Sequence, residues 1–181
     1  NMAILSDSGV TIIPPDDGPL ACGDIGKGRL PDPHVIAQLI LAFCNGPLDL
    51  SGQHITITCG GTSEPIDPVR SITNKSTGLL GHTMANIAAG FGARVRLIRT
   101  IQRPTLSTIA CIEVQTAQDM ADALLVDAPC DALVMAAAVS DFTVSPFEKK
   151  QARGSHQSLH LTPTPDILAT FNQQKKPQCK S

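Results

Sequence analysis

The 181-residue sequence lacks an excess of charge of either sign: Lys and Arg number 14, Asp and Glu 16, and the formal net charge is −2. That balance gives no electrostatic footprint for nucleic acid or an anionic membrane surface, and it leaves a small charged metabolite as the compatible kind of partner. Paired cysteines are also lacking. The six, at positions 22, 44, 59, 111, 130 and 179, stand singly, with no C-x-x-C and no histidine at metal-ligand spacing. They read as reduced thiols, not as a disulfide or zinc framework. No apolar run approaches the roughly 20 residues that a membrane span needs. Asn1 to Ser8 has no basic region followed by an apolar stretch, so neither a spanning helix nor a signal peptide is indicated. The expectation is a cytoplasmic protein. Internal repeats, low-complexity tracts and the dinucleotide fingerprint G-x-G-x-x-G are absent as well.

What is present is an alternation of apolar patterns. "VTIIPP" (10–15) is a short β-branched run stopped by prolines, and 16–33, with Gly at 18, 23, 26 and 28, reads as a long glycine-rich loop. Apolar residues at 36, 39, 40 and 43 then follow helical spacing after an entry through prolines. The turn-rich stretch "NGPLDLSGQ" (45–53) reads as a domain boundary, dividing the chain into 1–50 and 51–181. From 54 onward a strand ("HITITCGG"), a helix ("GLLGHTMANIAAGFGA") and a strand ("RVRLIRT") succeed one another. A helix ("TAQDMADALLVDA"), a buried strand ("CDALVMAAAVSDF") and a short strand running into a helix ("SLHLTPTPDILATF") complete the series. Strands alternating with helices imply an α/β fold with a parallel sheet, three-layered and Rossmann-like. The opening "NMAILSDSG" reads as the last turns of a helix and the closing "NQQKKPQCKS" as a polar tail. Both ends are therefore expected to be truncated.

Ligands of open parallel sheets sit beyond the carboxyl ends of the strands. Residues 60–78, 138–150 and 162–167 all follow strands, so they are expected to meet at one edge. Gly60 and Gly61 permit close backbone approach, and Ser76, Thr77 and Gly78 open a helix whose amino end favours an anion. Such a segment is either a phosphate cradle or an ordinary turn. Arg70 and Asn74 lie four apart in this polar stretch; they could clamp a phosphate or carboxylate and polarise a carbonyl, or simply hold the segment together. Asp141, at the end of a small-residue strand, suits ribose hydroxyls or a cap. Lys149 and Lys150 could neutralise phosphate or stand as solvated surface.

Taken together and in order, "ITCGGTSEPIDPVRSITNKSTGLLGHTMA", "AAAVSDF", "EKKQ" and "TPDIL" resemble the phosphopantothenoylcysteine synthetase (phosphopantothenate cysteine ligase) domain of coenzyme A biosynthesis. Upstream, "VTIIPPDDGPLACGDIGKGRLPDP" is similar to the end of the phosphopantothenoylcysteine decarboxylase domain with its flap, a flavodoxin-like fold. The resemblance implies that 1–50 is the C-terminal part of the decarboxylase domain and 51–181 the N-terminal part of the CTP-dependent synthetase domain. The implied chemistry joins 4'-phosphopantothenate and cysteine through an acyl-cytidylate, with CTP and Mg2+, and FMN in the decarboxylase of the parent protein. A homo-oligomer is expected. By the same resemblance Asn74 binds the acyl carbonyl, Arg70 holds the pantothenate arm and Gly60 and Gly61 lie in the nucleotide loop. Ala136 and Ala137 border the cytosine, Asp141 binds ribose, and Thr164, Pro165, Asp166 and Ile167 match a nucleotide segment. Lys149 aligns with an essential lysine, with Lys150 the competing choice, and Cys22 with a flap proton donor. The sequence departs from the family pattern at Leu79, where lysine is common, and at Thr164, where asparagine is.

Overall fold

The computed structural model describes residues 2–10, 12–19, 25–44, 49–126, 130–152 and 158–174. The chain begins with α1 (Met2–Asp7), the strands β1 (Asp16–Pro19) and β2 (Ile25–Arg29), and α2 (Pro33–Cys44). It continues with β3 (His54–Cys59), β4 (Ser63–Asp67), β5 (Arg70–Thr73), α3 (Leu79–Gly90), β6 (Arg94–Arg99) and β7 (Ala110–Glu113). The remaining elements are α4 (Ala117–Leu125), β8 (Ala132–Met135), β9 (Phe142–Thr143), β10 (Thr162–Pro163) and α5 (Ile167–Gln174).

The main sheet runs β7-β6-β3-β8 and is parallel throughout. Because β3 is central, its alternate side chains serve both faces, and the last four of its residues are buried. Ile57 and Cys59 pack with Val95, Leu97, Ala85, Ala88 and Leu39 under α2 and α3. On the opposite face Ile98 packs with Met120 and Leu124 of α4 and with Ile167 and Phe171 of α5. The result is the expected three-layer α/β arrangement.

Helix starts follow local chemistry. Asp32 Oδ1 accepts from the His34 amide (2.8 Å) ahead of Pro33 at the first turn of α2. Thr116 and Asp119 form a reciprocal capping box at α4. Asp166 Oδ1 takes the Ala169 amide (2.9 Å) at α5.

Several expectations are corrected. Residues 16–33 are not simply a loop, because β1 and β2 pair antiparallel with Gly18 opposite Gly26; backbone pairing needs no side-chain preference there. Residues 60–78 contain the hairpin β4-β5, joined at Pro68 and Val69. The long strand expected over 130–142 is regular only through β8, and β7 went unforeseen because four residues carry too little periodicity to read.

Helix α3 lies unusually close to β3. A Cβ at Gly81 would stand 2.3 Å from Cys59 Cβ and 3.1 Å from the Thr58 carbonyl oxygen, and one at Gly90 would stand 2.1 Å from Leu39 Cδ2. Glycine at 81 therefore sets the depth of the helix on the sheet. Gly81→Ala is expected to destabilise the protein by about 1–3 kcal/mol, as overpacking does, and the urea midpoint of unfolding measures it. An unchanged midpoint would show that the helix-to-strand spacing yields freely.

Candidate functional site

At the carboxyl end of β3 the chain leaves the sheet through Gly60, at φ +88°, where a Cβ would lie 2.1 Å from Thr100 Oγ1. Gly61 is equally crowded, its hypothetical Cβ 2.3 Å from the Asn74 carbonyl oxygen. This compact exit lets backbone meet backbone. The Ala138 amide donates to Gly60 O (2.7 Å) and the Thr62 amide to Ala138 O (3.2 Å), which carries parallel pairing past the formal end of the sheet. Thr62, fully buried, accepts the Ser140 amide on Oγ1 (2.8 Å), and Thr73 Oγ1 donates to Thr62 O (2.8 Å).

These bonds join the base of the hairpin to the segment after β8. Asn74 Nδ2 donates to Val139 O at 2.9 Å, so Asn74 and Asp141 share one edge of the sheet as expected. Beside them, Asp141, Thr164, Pro165, Asp166 and Ile167 line a cavity of about 300 Å³ together with Met135 and neighbours. Thr164 closes its wall, its amide donating to Asp141 O (3.0 Å) and its hydroxyl to Ser140 O (2.5 Å). Ala136 and Ala137 continue the strand, their amides bonded to Thr58 O (3.2 Å) and Thr58 Oγ1 (3.3 Å). The bottom of the edge is thus backbone and small side chains, which admit a flat group.

At the hairpin tip, Asp67 is the organiser. Buried, it accepts from the amides of Val69 (2.9 Å), Arg70 (2.9 Å) and Gln151 (3.2 Å), and from Arg70 Nε (2.9 Å). The Arg70 guanidinium and these amides hold its carboxyl well below the usual carboxylate range. Arg70 also donates to Gln151 O (3.0 Å), and the Phe147 amide donates to Ile66 O (2.8 Å). Arg70 thus fastens the hairpin tip while its guanidinium stays half-exposed. Lys149 and Lys150 are exposed beside Gln151 at the tip. Cys22 falls outside the described residues.

Other participants escaped the sequence reading. Glu64, only 4% exposed, accepts the Ala117 amide on Oε1 (2.8 Å) and so anchors the hairpin to the amino end of α4. Its partner lies 53 residues away, and no local signal announces it. Asp67 did carry a signal: "DPVR" places Asp first and Pro second in a turn, the usual chemistry for that position. Cys59, by contrast, is no nucleophile, since burial pushes its thiol up to about 12.

The depressed Asp67 carboxyl fixes a pH dependence. Because its folded value lies below its ordinary 3.8, its contribution is complete above that value and is lost as pH falls below it. Amide exchange protection at Val69, Arg70 and Gln151 is therefore expected to decline as the pH is lowered from about 4. Asp67→Asn should show weak and pH-independent protection at the same amides. Equal acid profiles for the two proteins would remove Asp67 as the cause.

Comparison with known proteins agrees with this fold. Residues 50–180 match the family model described as the DNA/pantothenate metabolism flavoprotein C-terminal domain. The coenzyme A biosynthesis bifunctional protein CoaBC of Bacillus subtilis is 39% identical over 98% of this chain and 46% of its own length. A cysteine/cysteine sulfinic acid decarboxylase from an unknown prokaryotic organism is 40% identical over 97% of this chain and 52% of its own. The chain thus spans about half the length of the curated relatives it matches. Among solved structures, a CoaBC C-terminal domain superposes with a TM-score of 0.56 at 32% identity, covering 70% of this chain and 61% of that one. The DNA/pantothenate metabolism flavoprotein of Streptococcus pneumoniae gives 0.58 at 26% identity, over 68% and 66%. With the motif order, the sheet and the family match in agreement, the chain belongs to the DNA/pantothenate metabolism flavoprotein family and carries its C-terminal domain over residues 50–180.

Proposed function

We propose that residues 51–181 serve the CTP-dependent ligation of 4'-phosphopantothenate with cysteine in coenzyme A biosynthesis, in the cytoplasm, and that residues 1–50 are the end of a decarboxylase domain. The observation that carries this reading is the convergence of Asn74, the 136–141 segment and the Asp141–Thr164 cavity at one sheet edge. The pantothenate carboxylate attacks the α-phosphorus of CTP, forming the acyl-phosphate bond as pyrophosphate leaves. The cysteine amine then attacks the acyl carbon, and CMP departs with its bonding electrons as the amide forms and the amine proton is lost.

In this reading Ala136 and Ala137 border the cytosine, Asp141 takes ribose hydroxyls, and Thr164, Pro165, Asp166 and Ile167 wall the nucleotide. Asp166 does so while capping α5. Gly60 and Gly61 keep the backbone low beneath the phosphates. Asn74 has two amide N–H donors; the one bonded to Val139 O orients the group, and the other serves the acyl oxygen. Arg70 shapes the pantothenate side through Asp67. Lys149, or Lys150 beside it, supplies charge from the hairpin tip. Among the described residues no group of three or more His, Cys, Asp or Glu could hold a metal ion. Mg2+ is accordingly placed on the triphosphate, its usual carrier. FMN, and Cys22 as a proton donor, belong to the decarboxylase portion of a longer parent, which we expect to be a homo-oligomer.

A second reading, a nucleotide-binding or assembly module without catalysis, is favoured by the internal partners that Asn74, Arg70 and Asp166 already have. Titrating CTP into the chain and assaying pyrophosphate release separates the two, since binding without release supports the second. For the ligase reading, Asn74→Asp replaces a donor with a charged acceptor. Formation of the cysteine adduct is expected to fall about 100-fold, in the range of oxyanion donors, and pyrophosphate release to fall much less. The assay is run in this chain and at the equivalent asparagine of a bifunctional relative. Equal losses in both steps, or none, would reduce Asn74 to a loop-fastening residue.

A further inference from the structure

Thr62 stands where the exit of β3 turns into the β4-β5 hairpin, and it is fully buried. Each of its polar atoms has a partner. Its amide donates to Ala138 O (3.2 Å), its carbonyl accepts the Thr73 hydroxyl (2.8 Å), and its Oγ1 accepts the Ser140 amide (2.8 Å). The first and last of these bonds grip the residues on either side of Val139. Val139 O is the acceptor for Asn74 Nδ2 (2.9 Å), and Asn74 follows Thr73 directly in the chain. The bonds therefore close a ring, from Thr62 to Thr73, along the backbone to Asn74, across to Val139, and back through Ala138 and Ser140 to Thr62.

Asn74 is itself exposed, and among the described residues its side-chain amide has the single bond to Val139 O. Its orientation is therefore only as fixed as that acceptor. On one flank of Val139, the Ala138 amide is also held by Gly60 O (2.7 Å). On the other flank the Ser140 amide, in a residue 4% exposed, depends on Thr62 Oγ1. Removing that oxygen would leave a buried N–H unpaired, which is costly enough to shift the segment toward another acceptor. The side of the edge that carries Asp141 has fastenings of its own, since the Thr164 hydroxyl donates to Ser140 O (2.5 Å) and the Thr164 amide to Asp141 O (3.0 Å). Thr62 thus governs Asn74 more than Asp141.

We propose that Thr62 is the positioning residue for Asn74, its Oγ1 holding the Val139 carbonyl where it directs the free Asn74 N–H at the acyl oxygen. This role rests on the ligation reading above. Being fully buried, Thr62 touches no substrate and acts through Asn74.

The test compares Thr62→Val, which keeps the shape and removes the acceptor, with Thr62→Ser, which keeps the acceptor, in the 181-residue chain. Two readouts are taken: the side-chain amide resonances of Asn74, and the rates of pyrophosphate release and cysteine-adduct formation. In Thr62→Val the Asn74 resonances are expected to move to those of a free amide, and in Thr62→Ser to return. Adduct formation is expected to fall about 10- to 100-fold in Thr62→Val, the scale of a misplacement of about 1 Å, while the KM for CTP changes by less than about twofold. Because the effect passes through Asn74, adding Thr62→Val to Asn74→Asp should cost less than about a further twofold. Thr73→Val, at an exposed position, opens the same ring and gives the same readouts should Thr62→Val fail to fold. Unchanged Asn74 resonances in the folded variant would overturn the proposal. So would a full additional loss in the Asn74→Asp background, or a Thr62→Ser protein as deficient as Thr62→Val. A wild-type chain that releases no pyrophosphate counts against the ligation reading alone, and the Asn74 resonances then decide the role of Thr62.

Discussion

The rest of the structure depends on how β3 leaves the sheet. At Gly60 and Gly61 no Cβ intervenes, so the strand backbone turns within contact of Thr100 and Asn74 and continues pairing with Ala138 beyond the last regular residue of β8. One strand thereby positions three other elements. The hairpin base is drawn to the 138–141 segment by Thr62 and Asn74, while Gly81 lets α3 settle on Cys59 with its amino end above the same exit. Crowded backbone of this kind is available to glycine because it has no side chain to displace.

A second regularity is the use of carboxylates as internal fasteners. Asp67 closes the hairpin tip, Glu64 binds the amino end of α4, Asp119 completes the capping box and Asp166 begins α5. Each accepts from backbone amides that would otherwise be unpaired at a turn or helix start. The acidic residue that lines the sheet-edge cavity without a capping duty of this kind is Asp141, which is why the reading of that edge centres on it.

The two cavities divide the molecule by chemistry as well as by place. The sheet-edge cavity is lined by the apolar Met135, Val139, Pro165 and Ile167 beside Ser140, Thr164 and the carboxylates of Asp141 and Asp166. The one between α2 and α3 is lined by Asp32, His34, Gln38 and Thr83 together with Arg103 and Pro104. Its second wall comes from the first fifty residues, so α2 completes a surface that the family domain over 50–180 does not enclose by itself.

The sequence by itself determined the layer order, the helices and the sheet edge at which Asn74 and Asp141 lie. Apolar alternation in "HITITC" and helical spacing in "HVIAQLILAF" are local signals, and the rule that ligands lie beyond parallel strand ends needs only the order of elements. Asn74 and Asp141 were legible for that reason. What only the tertiary structure decided is which partner each polar group takes: Arg70 for Asp67, Glu64 for Ala117, Asn86 for Leu106, and, among the described residues, none for His82 Nε2. Sequence pattern reports burial and period, whereas hydrogen bonds form between atoms brought within about 3 Å by the packing of distant segments. The placement of Lys149 beside Gln151 at the hairpin tip follows from that same packing and from no local property of the residues around it.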